Sequence, residues 1–86
     1  MVKIMDKIAW VKDGDEYLLT NYETGKVSLI GETGAEILDC IISGMDEPAI
    51  ISELAQKYNM SENGIRGDVT AFIDDLVSRL YLERTD

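Results

Sequence analysis

Hydrophobic and polar positions follow two different periods along this chain, and the change comes near Gly31. Before it, short apolar runs are cut by turn residues. Ile4 to Val11 is apolar-rich and ends close to Trp10. The Asp-Gly pair in Lys12-Asp13-Gly14-Asp15 is a strong hairpin signal. Glu16 to Tyr22 follows, with Tyr17, Leu18, Leu19 and Thr20 all favouring a strand. Glu23-Thr24-Gly25 makes a second turn, and Lys26-Val27-Ser28-Leu29 alternates polar with apolar as a half-buried strand does. These segments predict a three-stranded antiparallel meander, which is marginal alone and must pack on something.

After Gly31 the apolar spacing becomes helical. Thr33 with Glu36 three residues on predicts a capping box, followed by a stripe of Ala35, Leu38, Ile41, Ile42 and Met45 that stops at Gly44. Glu47-Pro48 opens a second helix, since proline suits an early position. Its stripe is Ile50, Ile51, Leu54, Ala55 and Tyr58, with Asn59 as a C-terminal cap. Ser61 starts a third helix whose apolar face is Ile65, Val69, Phe72, Ile73, Leu76, Val77 and Leu80. The expectation is one domain over 1–86, with strands in 1–30, three helices in 31–82 and a tail at 83–86. Its class is α+β and winged helix-turn-helix-like, a three-stranded antiparallel sheet followed by three helices.

Composition narrows the chemistry. A chain of 86 residues with 45% apolar content supports one real core. No run of about eighteen apolar residues appears, so no membrane span is expected. The opening MVKIMDKIAW mixes charges into the apolar positions and is not a signal peptide. The expected location is cytoplasmic. One cysteine, Cys40, cannot form an intrachain disulfide, and histidine is absent, which removes the commonest general base and metal ligand. Cys40 reads as a small hydrophobe on an inner helix face. Asp74 and Asp75 are adjacent on a helix and diverge by about 100°. Asp13-Gly14-Asp15 lacks the downstream ligands of a calcium loop. No catalytic residue, metal site or cofactor is expected.

The net charge of −9 is unevenly spread. Residues 1–30 carry four bases against five acids, and residues 31–86 carry four bases against twelve acids. The helical part therefore repels a phosphate backbone, which opposes a DNA-binding reading of the helix-turn-helix pair. A partner surface remains. If the edge of Lys26–Ile30 lies open beside the third helix, the two make a trough in which an extended peptide can add as a strand.

Here the residues resemble a known family. IGETGAEILDCIISGMDEPAIISELAQKY is similar to the PqqD-like proteins, in which a short strand leads into a Thr-Gly-Ala helix, a Gly-containing turn and a helix ending in Lys-Tyr. DVTAFIDDLVSRLYL resembles that family's closing helix, so the likeness runs from about Trp10 to Leu82. One departure is Ile30-Gly31, where the family commonly has Leu-Asn. The resemblance implies a recognition element for ribosomally made precursor peptides, with the leader bound between the third strand and the third helix. Carried onto this chain, the site is Lys26, Val27, Ser28, Leu29 and Ile30 on the strand. Asp68, Ala71, Phe72, Asp75, Leu76 and Arg79 supply the helix face. The implied partners are the leader peptide and a processing enzyme. A chain this short most resembles the discrete lasso-peptide members that serve a leader protease. A pyrroloquinoline quinone or sactipeptide carrier for a radical-SAM enzyme is the alternative. Which strand register faces the leader stays open.

Overall fold

The computed structural model describes residues 1–85. Its elements run β1 (Val2–Ile4), β2 (Ile8–Asp13), β3 (Glu16–Asn21), β4 (Val27–Ile30), α1 (Glu32–Ile42), α2 (Glu47–Lys57), α3 (Glu62–Ser78) and β5 (Leu82–Arg84). Strands β2, β3 and β4 form the expected antiparallel meander. Gly14 sits at φ +62° and Gly25 at φ +77°, conformations that glycine adopts without steric penalty. One face of the sheet contributes Tyr17, Leu19 and Ile30 to the core. The helices contribute Leu38, Ile50, Val69, Ile73 and Leu76.

Two expectations at the chain ends need correction. The first strand is broken: Ile8 N–H donates to the Met5 carbonyl at 3.1 Å, and the chain turns between β1 and β2. The anticipated free tail holds a strand, because β5 pairs antiparallel with β1 and buries Val2 and Leu82. Arg84 on β5 bonds Glu47 and Asp74, tying this clasp to α2 and α3.

The helix starts divide. Asp46 Oδ1 accepts from Ala49 N–H at 3.1 Å, and Ser61 Oγ accepts from Gly64 N–H at 3.1 Å, both ordinary N-caps. The Thr33–Glu36 capping box does not form. Gly31 occupies the cap of α1 without a side-chain bond, and Thr33 lies already inside the helix. Glu36 instead accepts from the Tyr58 hydroxyl and from Lys57 at 3.1 Å, pinning α1 to α2. The predicted stripes are trimmed at their C-terminal ends: Ile42, Tyr58 and Leu80 are exposed, and Ile37 is buried in α1.

All three helices close with the same paired bonds. The residue after the cap adopts positive φ, and the next N–H reaches back to the carbonyl five residues earlier, as in a Schellman motif. Those residues are Gly44 (φ +91°), Asn59 (φ +53°) and Leu80 (φ +63°). Glycine and asparagine tolerate that region, whereas a leucine there costs about 1–2 kcal/mol.

Candidate functional site

The register of β4 follows from one bond. Asn21 N–H donates to the Lys26 carbonyl at 2.8 Å, so this pair is hydrogen-bonded. Antiparallel pairs alternate between bonded and non-bonded. Along the pairing Thr20↔Val27, Leu19↔Ser28, Leu18↔Leu29 and Tyr17↔Ile30, it is Ser28 and Ile30 that bond β3. The N–H and C=O groups of Val27 and Leu29 therefore point away from β3, to the sheet's open edge. Those two residues offer four backbone partners to an added strand.

Helix α3 runs beside this edge in the opposite direction, fixed by two ties. At one end Phe72 and Ile30 close over Gly34. An added Cβ there would fall 2.5 Å from Phe72 Cε1 and 2.7 Å from Ile30 Cγ2, so only glycine admits this approach. At the other end the Arg79 guanidinium donates to Ser28 Oγ at 3.2 Å and to Asp75 Oδ2 at 2.9 Å, and lies 5.6 Å from the Tyr81 ring. An open cleft of 520 Å³ continues there, lined by Lys26, Val27, Ser78, Arg79, Leu80 and Tyr81.

The residues singled out from sequence take different places. Val27 and Leu29 are exposed at the edge, and Ser28 is half-buried on the helix-facing side. Lys26 precedes the strand and lines the cleft. Asp68, Ala71, Asp75 and Arg79 are exposed, while Phe72 is partly buried against the core. Ile30 and Leu76 are buried, Leu76 completely, so they support the trough from below and give it no open surface. Sequence reasoning missed Leu80 and Tyr81. Helical spacing puts Leu80 in the core. The signal against that is its place beyond the last turn, where it stands 61% exposed at the cleft with a strained backbone.

Other features speak to chemistry. No cluster of three metal-ligating side chains occurs among the described residues. Burial, with nearby carboxylates, pushes the Cys40 thiol above its usual range, the reverse of an activated nucleophile. No described helix is long and apolar enough to cross a membrane. The Tyr17 hydroxyl donates to Asp39 Oδ1 at 2.5 Å, and Lys12 Nζ reaches the same carboxylate at 3.1 Å. Burial first, then Asp39, pushes Tyr17 up to about 12. Burial raises the Asp39 carboxyl, but the bonds from Tyr17 and Lys12 outweigh it and the net shift is downward. This triad fastens β2 and β3 to α1, away from the trough. Helix α3 carries exposed Glu62, Asp68, Asp74 and Asp75, a poor surface for a nucleic-acid backbone.

The family described as Coenzyme PQQ synthesis protein D (PqqD) matches residues 16–81. No curated protein matches the chain in sequence. Among solved structures, TbiB1 in complex with the TbiA(beta) leader peptide is similar with a TM-score of 0.90 and 21% identity, covering 98% of each chain. Lasso peptide synthetase B1 complexed with the leader peptide is similar with a TM-score of 0.87 and 14% identity, covering 96% of this chain and 98% of that one. At such identities the likeness is one of fold.

Proposed function

The chain belongs to the PqqD family, and from that premise we propose that it binds the leader of a ribosomally made precursor peptide as an added strand on β4. The observation that carries this reading is the pair Val27 and Leu29, whose backbone groups face an open edge beside α3. The leader residues opposite Ser28 and Ile30 drop their side chains toward α3, and those opposite Val27 and Leu29 stand on the other face. Four backbone bonds contribute about 1 kcal/mol each. Two or three apolar anchors contribute roughly 1.5–3 kcal/mol apiece. Ordering the leader takes back about 2–5 kcal/mol, and association entropy takes several more. The balance is an affinity of roughly micromolar.

The protein itself catalyses nothing in this reading and presents the leader, in the cytoplasm, to a processing enzyme. Both similar structures hold a leader peptide, and the likeness to lasso peptide synthetase B1 over nearly the whole chain favours the lasso pathway, and with it a leader protease as that enzyme. The description of the family favours the second reading, a carrier in pyrroloquinoline quinone synthesis. Calorimetric titration with synthetic leaders tests both. The expected result is one-to-one binding near micromolar for a leader from the protein's own gene neighbourhood, without change in peptide mass. Absence of binding at roughly a thousandfold higher concentration, about 1 mM, sinks the proposal.

A further inference from the structure

The register that aims the backbone of Val27 and Leu29 at the open edge also sets their side chains on the sheet face turned away from the helices. Cross-strand pairing puts Val11, Leu18 and Leu29 in one row of that face, and Ala9, Thr20 and Val27 in the next. Val11 is 60% exposed, Leu18 39%, Val27 58% and Leu29 64%. An antiparallel sheet with one face on the core ordinarily carries polar residues on the other. Here five of these six outer positions are apolar, Thr20 being the exception, and an apolar patch of this kind marks an interaction surface.

What covers it can be argued from size and charge. A leader strand on β4 lies in the plane of the sheet, so it widens this face without covering it. Three strands by about five residues span roughly 250 Å², short of the ~800 Å² per partner of a stable complex, so whatever docks here needs contacts beyond these strands. A second copy fits poorly, since two chains of net charge −9 repel one another. At the hairpin end the patch is bordered by the Asp13↔Glu16 pair, with Asp15 in the turn. At the far end Lys7 is already paired with Glu23 at 2.7 Å. Lys26, also at that end, lines the cleft on the helix side, so the uncompensated charge bordering the outer face is acidic.

We propose that this outer face docks the processing enzyme through an apolar surface rimmed by lysine or arginine, and that the bound leader completes the docking site. The inference rests on strand addition at β4. The leader residues opposite Val27 and Leu29 stand in line with Leu18 and Val11, so the enzyme meets carrier and substrate as one surface. The rows β2 and β3 supply are present before the leader arrives, and the row it brings raises the buried area toward what a stable contact needs.

The test uses Val11→Ser with Leu18→Ser, and separately Asp13→Lys with Glu16→Lys, in the full chain. None of these residues offers a backbone group to the leader: Leu18 faces Leu29 across the sheet, but its own backbone bonds turn toward β2. Thermal melting confirms folding, and calorimetry should give the parent's leader affinity within about twofold. Processing of the precursor is then followed with the enzyme encoded beside it, the carrier being limiting. The expected result is a rate at least tenfold lower for the serine pair. For the lysine pair it is a similar loss with weakened salt dependence. Parent-like processing by the serine pair overturns the proposal while leaving the trough intact. A parent dimer in sedimentation that the serine pair dissolves also overturns it, by giving the face to a second copy. Failure of the leader to bind the parent removes the trough reading first, and this one with it.

Discussion

Arg79 and Ser28, 51 residues apart in sequence, are joined by a 3.2 Å bond from the guanidinium to the serine hydroxyl. The same guanidinium holds Asp75 and lies against Tyr81. One side chain thus sets the spacing between the last turn of α3 and the inner side of β4.

Replacing Arg79 should therefore act on binding more than on folding. Its ion pair with Asp75 is exposed, and such pairs contribute about 0–1 kcal/mol. Arg79→Ala is expected to lower stability by less than about 1 kcal/mol, yet weaken the leader roughly tenfold, because the trough is no longer held ready. Arg79→Lys should resemble the alanine variant, since an ammonium cannot span both partners as a planar fork does. Tighter leader binding by Arg79→Ala would mean that the guanidinium occupies the leader's place. Urea melts and calorimetry read the two quantities.

Leu80 separates stability from binding in the opposite direction. Its left-handed backbone costs about 1–2 kcal/mol, and its exposed side chain returns little of that to the fold. Leu80→Gly relieves the strain and pays part of it back in chain entropy. The net expectation is a gain of about 0.5–1 kcal/mol. If Leu80 anchors the leader at the mouth of the cleft, the same variant loses affinity several-fold. A variant both more stable and equal in binding would leave the strain without a functional reason.

The Tyr17–Asp39 bond predicts a pH profile. The Asp39 carboxyl lies below its ordinary value when folded, so its contribution is present at neutral pH and fades as acid protonates it. The Tyr17 hydroxyl lies above its ordinary value of 10.0, at about 12, so stability is kept below pH 10 and lost as pH rises toward 12. Tyr17→Phe should cost about 1 kcal/mol at pH 7, the bond being discounted because Asp39 is part-exposed. The difference from the parent should shrink on acidification below the carboxylate range and again above pH 10. Urea melts across pH 3–11 check this, and a pH-independent difference would show that the hydroxyl does not act through the Asp39 carboxylate, since phenylalanine keeps the ring's contact with Trp10.

Local signals in the sequence carried the meander and the three helices. Asp13-Gly14 and Thr24-Gly25 specify turns by backbone chemistry, and the stripes of α1 to α3 repeat often enough to fix a face. What escaped is non-local. Strands β1 and β5 have three residues each and exist only because each pairs with the other end of the chain. Helix α1 starts earlier than the capping box requires, with Gly31 rather than Thr33 as its cap, and Glu36 is engaged with Lys57 and Tyr58 at the end of α2, a contact no spacing rule contains. The strand and helix of the trough were legible. Its mouth at Leu80 was not, because periodicity cannot see where a helix stops turning. Nor was the register of β4, since alternation says which side chains share a face but not which face is bonded.

Register makes the sharpest prediction, a proline scan of β4. From sequence, Ser28 is the safer site, since Leu29 reads as a core residue. The structure reverses that choice. Ser28 sits opposite Leu19 in a bonded pair, so proline there removes a bond that holds the sheet together. Val27 and Leu29 spend their N–H groups on water in the free protein, and both side chains are largely exposed. Val27→Pro and Leu29→Pro should therefore fold with melting temperatures near the parent's, whereas Ser28→Pro should lose about 1–3 kcal/mol of stability. In the complex each edge variant lacks one donor, and its ring crowds the incoming strand. Leader affinity should fall at least tenfold for both. If Val27→Pro and Leu29→Pro stay folded and hold the leader as the parent does, the leader does not add to β4. The remaining free edge of the meander is β2, where Lys3, Ile4, Trp10, Ile41 and Ile42 line a shallow apolar groove of 270 Å³. The single tryptophan then reports the difference, because a peptide on β2 shifts Trp10 emission and a peptide on β4 leaves it unchanged.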